Sequence, residues 1–534
     1  MSENLPAPEE PRIEKPSAWA PLRIATFRSL WLVWLASNTC MWMNDVAAAW
    51  QMTTLTTSPT LIALVQTASS LPVFLLGIAS GALADIVDRR RYFMITQFWI
   101  ATTAAVLFGV ALSGHLNAFV LLVLVFANGI GLAMRWPVYA AILPELVPRS
   151  QLGEALALNA VAVNTSRVVG PLVAGLVIGA AGTEYVFALN CAVSIVSGIV
   201  LFLWKREVKP SVLPGERFIG AMRLGFQYVR ESQGMKNAMV RIGSFFFHST
   251  AVFALLPLIA KGFGSNGARN YTLLLASMGL GAVIMATQLP RLRTRFTRDQ
   301  VAGTGAVVTG LAIAGVALSA YVWLAAASMF VAGAMWILVA NSVTIAAQLS
   351  LPDWIRARGM SIYQMAIMGT TALGAYVWGK LASLTSVPTS LALAGVSMVI
   401  ASLFIRHGRT LELIGDLTPT HPFDEPVPQI PIELKDGPIM VTIEYLVDPA
   451  RRSEFEAIMA ESRSARMRAG AVSWGLFEDV ERPARYVEYF ACDTWADYLR
   501  RFDRFTAADE ELHQRRHAFH IAESPPRISR FVAR

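Results

Sequence analysis

Stretches of about twenty apolar residues recur along this chain as far as residue 406, and they limit its fold more than any other feature. The hydrocarbon core of a bilayer, about 30 Å thick, takes roughly 20 residues of helix to cross. Inside it each backbone N–H and C=O must be bonded within its own segment, so the crossing element is a helix. Twelve such spans are read at 28–50, 59–82, 92–113, 117–142, 153–180, 184–204, 236–260, 270–290, 299–319, 321–348, 358–383 and 387–406. Composition agrees: 54% of the 534 residues are hydrophobic and 15% are charged, where a soluble domain carries about a quarter charged residues. The formal charge of +8 does not point to nucleic acid. After Pro438 the chain has 15 Arg, no Lys and 16 Asp or Glu. The excess therefore lies among the apolar segments, where it reads as a topology signal and not as a phosphate-binding face.

Basic residues gather in alternate loops: Arg89 to Arg91; Lys205, Arg206 and Lys209; Arg291, Arg293, Arg295 and Arg298; Arg356 and Arg358; Arg406 and Arg409. Lys261 and Arg269 are the main exceptions. The positive-inside rule then puts both termini in the cytoplasm of a cell membrane protein, and an even span count agrees. The N-terminus is polar, Pro-rich and acidic, without the basic-then-apolar order of a cleavable signal, so the first span is expected to be retained. Cys40, Cys191 and Cys492 are too dispersed for a disulfide framework or a CxxC motif.

Between Lys205 and Lys236 the segment R-F-I-G-A-M-R-L-G-F-Q-Y-V-R is amphipathic at helical spacing and reads as an interfacial helix joining two bundles of six. The halves echo one another at an offset of 204: Pro148 with Pro352, Gly170 with Gly374, Gly175 with Gly379. A Pro-rich stretch then leads to a segment of soluble character with the order βαββαβ, for which a ferredoxin-like sandwich is expected. The expected organisation is thus a cytoplasmic N-terminal tail (1–27), a six-helix bundle (28–204), a cytoplasmic linker with an amphipathic helix (205–235), a second six-helix bundle (236–406), a Pro-rich linker (407–437) and a cytoplasmic domain (438–534). In fold class this is an all-α membrane bundle of twelve transmembrane helices in two six-helix halves, plus a small α+β domain.

The segment G-A-L-A-D-I-V-D-R-R-R at 81–91 follows span two. Gly77 and Gly81 form a small-xxx-small face expected to permit close helix approach, Asp85 is placed to pair across helices, and the arginines anchor the loop. The segment resembles the signature loop of the major facilitator superfamily, with Gly81, Leu83, Ala84, Asp85, Arg89 and Arg90 matching, while Ile86 and Asp88 depart from the pattern. The resemblance implies a conformational latch between the two halves; the plainer alternative is that the arginines only set topology. In span five, Gly170, Pro171 and Gly175 resemble a G-P-x-x-x-G element of exporters in that superfamily, and Gly179 extends the small-residue face.

Arg167 lies near the middle of span five and Asp45 in the outer part of span one. A charge at that depth belongs to a polar cavity or a counter-ion. Asp45 is the candidate proton carrier and Arg167 its companion; a structural ion pair, or an Asp hydrated near the interface, is the alternative. Asn38, Asn44, Gln51, Asn159 and Asn164 are candidate lining residues, and His248 is a second candidate protonation site, or a structural histidine. Arg135 comes late in span four, towards the cytoplasm.

W-G-L-F-E-D-V-E-R-P-A-R-Y-V-E-Y-F and W-A-D-Y-L-R-R-F-D-R-F resemble the appended domain of the transmembrane secretion effector branch, which is similar to siderophore and macrolide exporters. His513 and His517, with His520 beyond, are at a metal-compatible spacing but suit a solvated helix better, and Trp474, Tyr486, Tyr489 and Trp495 suit core or dimer surfaces. No nucleophile constellation, metal cluster or phosphate loop is read, so neither catalytic residues nor a cofactor or metal is expected. The resemblance implies proton-coupled export of a small amphipathic compound by alternating access, in contact with membrane lipid, with homodimerisation or regulation through the C-terminal domain. An importer or uniporter of the same fold, and a membrane-anchored regulatory protein, remain the alternatives.

Overall fold

The computed structural model describes residues 17, 19–205, 218–264, 266–408, 411, 415–423 and 425–534. Arg206, Lys209 and Arg409, read above as topology signals, lie outside the described residues. Helices α1 (Ala25–Leu55), α2 (Pro59–Ile86), α3 (Arg89–Leu112), α4 (Ala118–Ile142), α5 (Leu152–Ala180) and α6 (Thr183–Leu203) precede the short α7 (Phe218–Glu231). They are followed by α8 (Gln233–Gly262), α9 (Gly267–Arg295), α10 (Arg298–Ala317), α11 (Val322–Leu349), α12 (Asp353–Leu384) and α13 (Val387–Gly408). Among the described residues, ten helices are long and apolar enough to cross a membrane. The two others on which the expected twelve depends, α1 and α12, are long at 31 and 32 residues but more polar, α1 through Asn38, Asn44, Asp45 and Gln51, and α12 through Asp353, Arg356, Arg358 and Lys380.

Side-chain caps fix several helix starts: Asn117 accepts from the Val120 amide at 2.9 Å to open α4, and Thr297 with Gln300 forms a reciprocal capping box on α10. Pro72, Pro137, Pro171, Pro257 and Pro290 sit inside helices, as membrane helices tolerate. All helix ends from Leu55–Pro59 to Leu384–Val387 on one face are joined by short turns; the opposite face carries α7 and the C-terminal domain. These are called the short-loop face and the tail face below.

The glycines repeated at the offset of 204 make matched contacts. A Cβ on Gly170 would stand 2.6 Å from Trp42 Cβ in α1, and one on Gly374 would collide with the Phe247 backbone in α8, so each lets its helix lie against the first helix of its own half. A Cβ on Gly175 would strike Thr272 in α9, and one on Gly379 would strike Ala63 in α2, so each serves a contact with the opposite half. Without a hydrophobic drive between helices in lipid, such backbone approach supplies the packing energy.

The C-terminal domain consists of β1 (Ile439–Leu446), α14 (Arg452–Arg468), β2 (Ser473–Glu478), β3 (Arg485–Cys492), α15 (Trp495–Asp503), α16 (Ala507–His517) and β4 (Arg527–Val532). The sheet is antiparallel in the order β2-β3-β1-β4. Alternate residues Ile439, Val441, Ile443 and Tyr445 of β1 pack with Tyr486 and Phe490 of β3 and with Phe455, Met459 and Leu512 from the helices, which builds one core on one face. Residues 415–423 and 425–437 carry no helix and are tied to this domain: Trp495 N donates to Asp436 O and Ala507 N to Thr418 O.

The domain is docked on the membrane helices. Gln227 of α7 donates to Met467 O at 2.7 Å and Ala471 O at 2.5 Å, Ser464 donates to Glu231 at 3.0 Å, Arg223 pairs with Asp493, and Arg504 lies 4.5 Å over the Trp354 ring at the start of α12.

Candidate functional site

The halves meet along α2 with α12 and α5 with α9. From the short-loop end inward, Thr60 bonds Ser383 at 2.6 Å, Thr67 donates to Ala372 O at 2.9 Å, Gly369 accepts the Phe74 ring, and Gly77 lies against Met365. Lys261 of α8 donates to Thr53 O and stands 5.5 Å over Trp50, whose ring stacks on Tyr271. These hydrogen bonds between the halves, from Thr53 to Thr67 on one side and from Lys261 to Ala372 and Ser383 on the other, lie towards the short-loop side of the seam.

Asp45 and Arg167 both lie at the seam, but not on each other. Asp45 accepts from Ser69 of α2 at 2.9 Å and borders a void of about 10 Å³, room for about one water, that Gln66 and Phe253 of α8 also line. Arg167 stands 4.4 Å over Trp336 of α11 and 5.5 Å over Trp42 of α1, and its buried Nε has no hydrogen-bond partner. The ion pair weighed from the sequence is not formed. Trp336 is in turn met edge-on by Phe246 and Phe253.

Other expected lining residues are spent on local bonds. Asn44 accepts from Asn190 of α6 at 3.4 Å, Asn164 donates to Ala160 O of its own helix, Thr183 donates to Gln51, and Asn159 has a buried oxygen without a partner. His248 Nδ1 is bonded to Ser244 O one turn back at 2.6 Å, with Phe247 and Trp378 against its ring. Asn38 donates to Trp34 O and accepts from Arg135 at 3.2 Å. Arg135, read from the sequence as nearer the cytoplasm, is 1% exposed inside the first half, 5.2 Å over Trp34. An arginine inside an apolar run was itself the available signal.

The signature segment needs two corrections. Residues 81–86 are the last turns of α2 and not a loop; only Val87 and Asp88 intervene before α3, which Asp88 caps by accepting from Arg91 N at 2.9 Å. A Cβ on Gly81 would meet open space, so the close approach expected there occurs at Gly77 instead; Gly179 likewise has no neighbour within 4 Å. The backbone of Asp85 belongs to α2, and its side chain lies outside the described ones. Arg89 bonds Glu145 at 2.7 Å, and Arg90 donates to Leu201 O at 3.0 Å and to Phe202 O, fastening α3 to the C-terminal end of α6. These partners lie in the same half as the arginines.

Over residues 16–534 the chain matches the family described as transmembrane secretion effector. The chain belongs to that family of major facilitator transporters. It is 23% identical over 368 residues to the uncharacterised transporter YfiS of Bacillus subtilis, covering 66% of this chain and 86% of that one. It is 21% identical to the staphyloferrin A transporter of Staphylococcus aureus, over 72% of this chain and 96% of that one. With macrolide efflux protein A of Streptococcus pyogenes it shares 24% identity over 44% of this chain, and spans 59% of that relative's length. In structure it resembles a mutant form of the nucleoside transporter NupG (TM-score 0.59, 13% identity, 71% of this chain and 99% of that one) and a D-xylose-proton symporter (TM-score 0.57, 15% identity, 71% and 97%). The effector is an integral membrane transporter, not an enzyme.

The C-terminal domain of this effector hides a charge cluster that sequence reading passed over. Glu488 is fully buried and accepts from Arg466 Nε and Trp474 Nε1, both at 3.0 Å, and from Tyr445 and Ser462 at 3.3 Å, with Arg516 at 3.8 Å. Burial pushes its carboxyl up, but the charges of Arg466 and Arg516 and the hydrogen bonds donated by Arg466 and Trp474 outweigh that and hold it at about 2. His513 Nδ1 is bonded to Arg516 at 3.0 Å, its ring 4.3 Å from that of His517, and His520 Nδ1 accepts from Leu446 N at 3.0 Å. Trp474, Tyr486 and Trp495 pack into the core, while Tyr489 stacks on Phe477 on the outer sheet face.

Proposed function

We propose that this effector exports a small amphipathic compound across the cell membrane in exchange for protons, by alternating access of two six-helix halves. The observation that carries the reading is the seam: bonds between the halves gather at the short-loop side, and Asp45 and Arg167 stand where the halves meet. On this reading α1 and α12 also span, giving twelve, and the parts keep the boundaries 1–27, 28–204, 205–235, 236–406, 407–437 and 438–534. Both termini and the ferredoxin-like tail are cytoplasmic, so the described conformation is closed outward. Relatives named as a macrolide efflux protein and an enterobactin exporter support export, and one named as a staphyloferrin A transporter supports a small-molecule cargo. A neighbour named as a proton symporter supports proton coupling but runs the other way, so the fold alone does not set direction.

Asp45 is the proton carrier: its one described hydrogen bond, from Ser69, leaves a carboxyl beside a water-sized void at the seam. Gly170, Pro171 and Gly175 shape α5 for the seam, and Gly81, Asp85, Arg89 and Arg90 form the gating segment, with Arg89 and Arg90 holding α3 to its own half. Asn38, Asn44, Asn164 and His248 support the surrounding helices. The outer sheet face, where Phe477 is 61% exposed beside Tyr489, is the surface through which the tail pairs with a second copy. Inverted membrane vesicles carrying wild-type or Asp45→Asn protein, loaded by an imposed proton gradient, test the reading with a panel of siderophores and macrolides. Gradient-dependent accumulation lost in the variant at equal protein level supports it; accumulation that persists in the variant removes Asp45 from the mechanism.

A further inference from the structure

We infer that the compound moved carries an oxyanion, a carboxylate or a group of like charge and shape, and that Arg167 is the residue that receives it. The inference rests on the transporter reading and gives its substrate a class. Arg167 belongs to the first half and Trp336 to the second, so the guanidinium bridges the seam where a midplane site would be. Two rings carry it: the Trp336 and Trp42 centroids lie 4.4 and 5.5 Å from Cζ. To the in-plane N–H groups of the fork the described residues supply no hydrogen bond. Among the described residues Arg167 has no hydrogen bond and no carboxylate, and Nε is buried without a partner. The nearest acidic candidate by sequence, Asp45, one turn along α1 from Trp42, is turned to Ser69.

A half-buried guanidinium whose buried Nε goes unfilled is costly, and guanidinium is the side chain least able to shed its charge. Its geometry matches a carboxylate bidentately. A purely structural arginine would be expected to have its fork filled, as Arg466 has with Glu488 at 3.0 and 3.3 Å. The same half holds a second arginine without a carboxylate: Arg135, whose Nη2 reaches only Asn38 and Met41 and whose Nε is also unpartnered. Trp34 and Trp42, the rings that carry these two arginines, are eight residues apart on α1, about 12 Å along the helix. Two guanidiniums thus face α1 inside the first half without a carboxylate partner, and the aromatic wall of Trp42, Trp336, Phe246 and Phe253 suits the apolar part of an amphipathic anion.

The test uses the full-length protein, purified in detergent, and two probes: the N-octyl monoamide of citric acid, which keeps two carboxylates, and its neutral dimethyl ester. Calorimetric binding is measured for wild type, Arg167→Gln, Arg167→Lys and Asp45→Asn. Wild type is expected to prefer the diacid by about 10- to 100-fold. Arg167→Gln is expected to abolish that preference with ester affinity unchanged, which also shows the variant folded. Arg167→Lys, keeping charge but losing the fork, is expected to lose most of it, and Asp45→Asn to keep it. A wild type without acid preference, or a preference that survives Arg167→Gln, overturns the inference. Vesicle accumulation of the same probes separates it from the export reading: Arg167-dependent acid binding without flux leaves the inference standing and removes export, whereas equal flux of acid and ester leaves export standing and removes the inference.

Discussion

If the halves part along the seam, a side chain forced into that seam must favour the parted state. Gly379 and Gly175 are the places to force it: a Cβ on Gly379 strikes Ala63 and lies 3.3 Å from Pro59 O, and one on Gly175 strikes Thr272 and lies 2.6 Å from its Cγ2. A leucine there overpacks the contact, at about 1–3 kcal/mol. Because that cost falls on one arrangement of the halves and not the other, it shifts their equilibrium by about 5- to 150-fold. Gly170→Leu is the control, since it strikes Trp42 within the same half and so burdens both arrangements, lowering yield without biasing them. The assay replaces Cys40, Cys191 and Cys492, places a cysteine at Thr67, whose hydroxyl bonds Ala372 O across the seam, and follows labelling by an impermeant maleimide added on the short-loop face. Gly379→Leu and Gly175→Leu are each expected to raise the labelling rate by the stated factor. Unchanged labelling in both, at wild-type protein level, would refute the argument that this seam opens.

The tail offers two independent measurements. Glu488→Gln leaves Arg466 and Arg516 buried opposite no charge, at an expected cost of about 3–5 kcal/mol, read as faster hydrogen exchange in β1 and β3 of the full-length protein; exchange equal to wild type would show the cluster is not a stabilising one. The same carboxyl sets a pH signature: held at about 2 against a usual 4.5, it contributes about 3 kcal/mol that is fully present above pH 4.5 and lost as pH falls from there towards 2. Protection of the tail sheet is therefore expected to be flat from neutral pH down to about 5 and to fall below it, and a fall already complete at pH 5 would assign the loss to other groups. Gln227→Leu removes both hydrogen bonds to the Met467 and Ala471 carbonyls and is expected to weaken docking by about 1–3 kcal/mol, seen as faster exchange in α7 with the tail core unchanged.

What the sequence made legible follows from what lipid and close packing demand of single residues. Apolar runs are required wherever a helix crosses, so the helices up to residue 408 could be read with ends off by a few residues, and Gly170, Gly175, Gly374 and Gly379 could be found because nothing with a Cβ fits those contacts. The partners of the polar residues were not legible. Asn38, Asn44 and Asp45 are neighbours in sequence, yet they face α4, α6 and α2 respectively, and no apolar period resolves such rotations. His248 and Asn164 turn to their own helix, a choice made at the level of one rotamer. Residues 81–86 looked like a loop because of the charges around them, but the capping of α3 by Asp88 confines the break to two residues. In the tail a signal was present and unused: strict alternation puts Glu488 on the same face of β3 as buried Tyr486 and Phe490, and a carboxylate on a core face requires buried cations.

The repeat also shows where the two halves have diverged. At the offset that matches Gly170 to Gly374, Arg167 corresponds to Thr371 and Asp45 to Ser249, and the hydroxyls of both Thr371 and Ser249 are buried without partners. The packing positions are thus shared, while the charged pair belongs to the first half alone. The second half has what the first lacks: α7 and the start of α12 hold the tail, through Gln227 and Trp354, and α12 is also the helix that forms the seam with α2 at its far end. A single 32-residue helix, about 48 Å long, therefore connects tail docking to the contacts of Thr60, Ala63 and Thr67. On the alternating-access reading the two perturbations separate. Loosening the tail acts on α12 and changes how readily the seam opens, whatever the substrate; changing Arg167 also removes a seam contact, the one with Trp336, but it alone alters which compound is accepted.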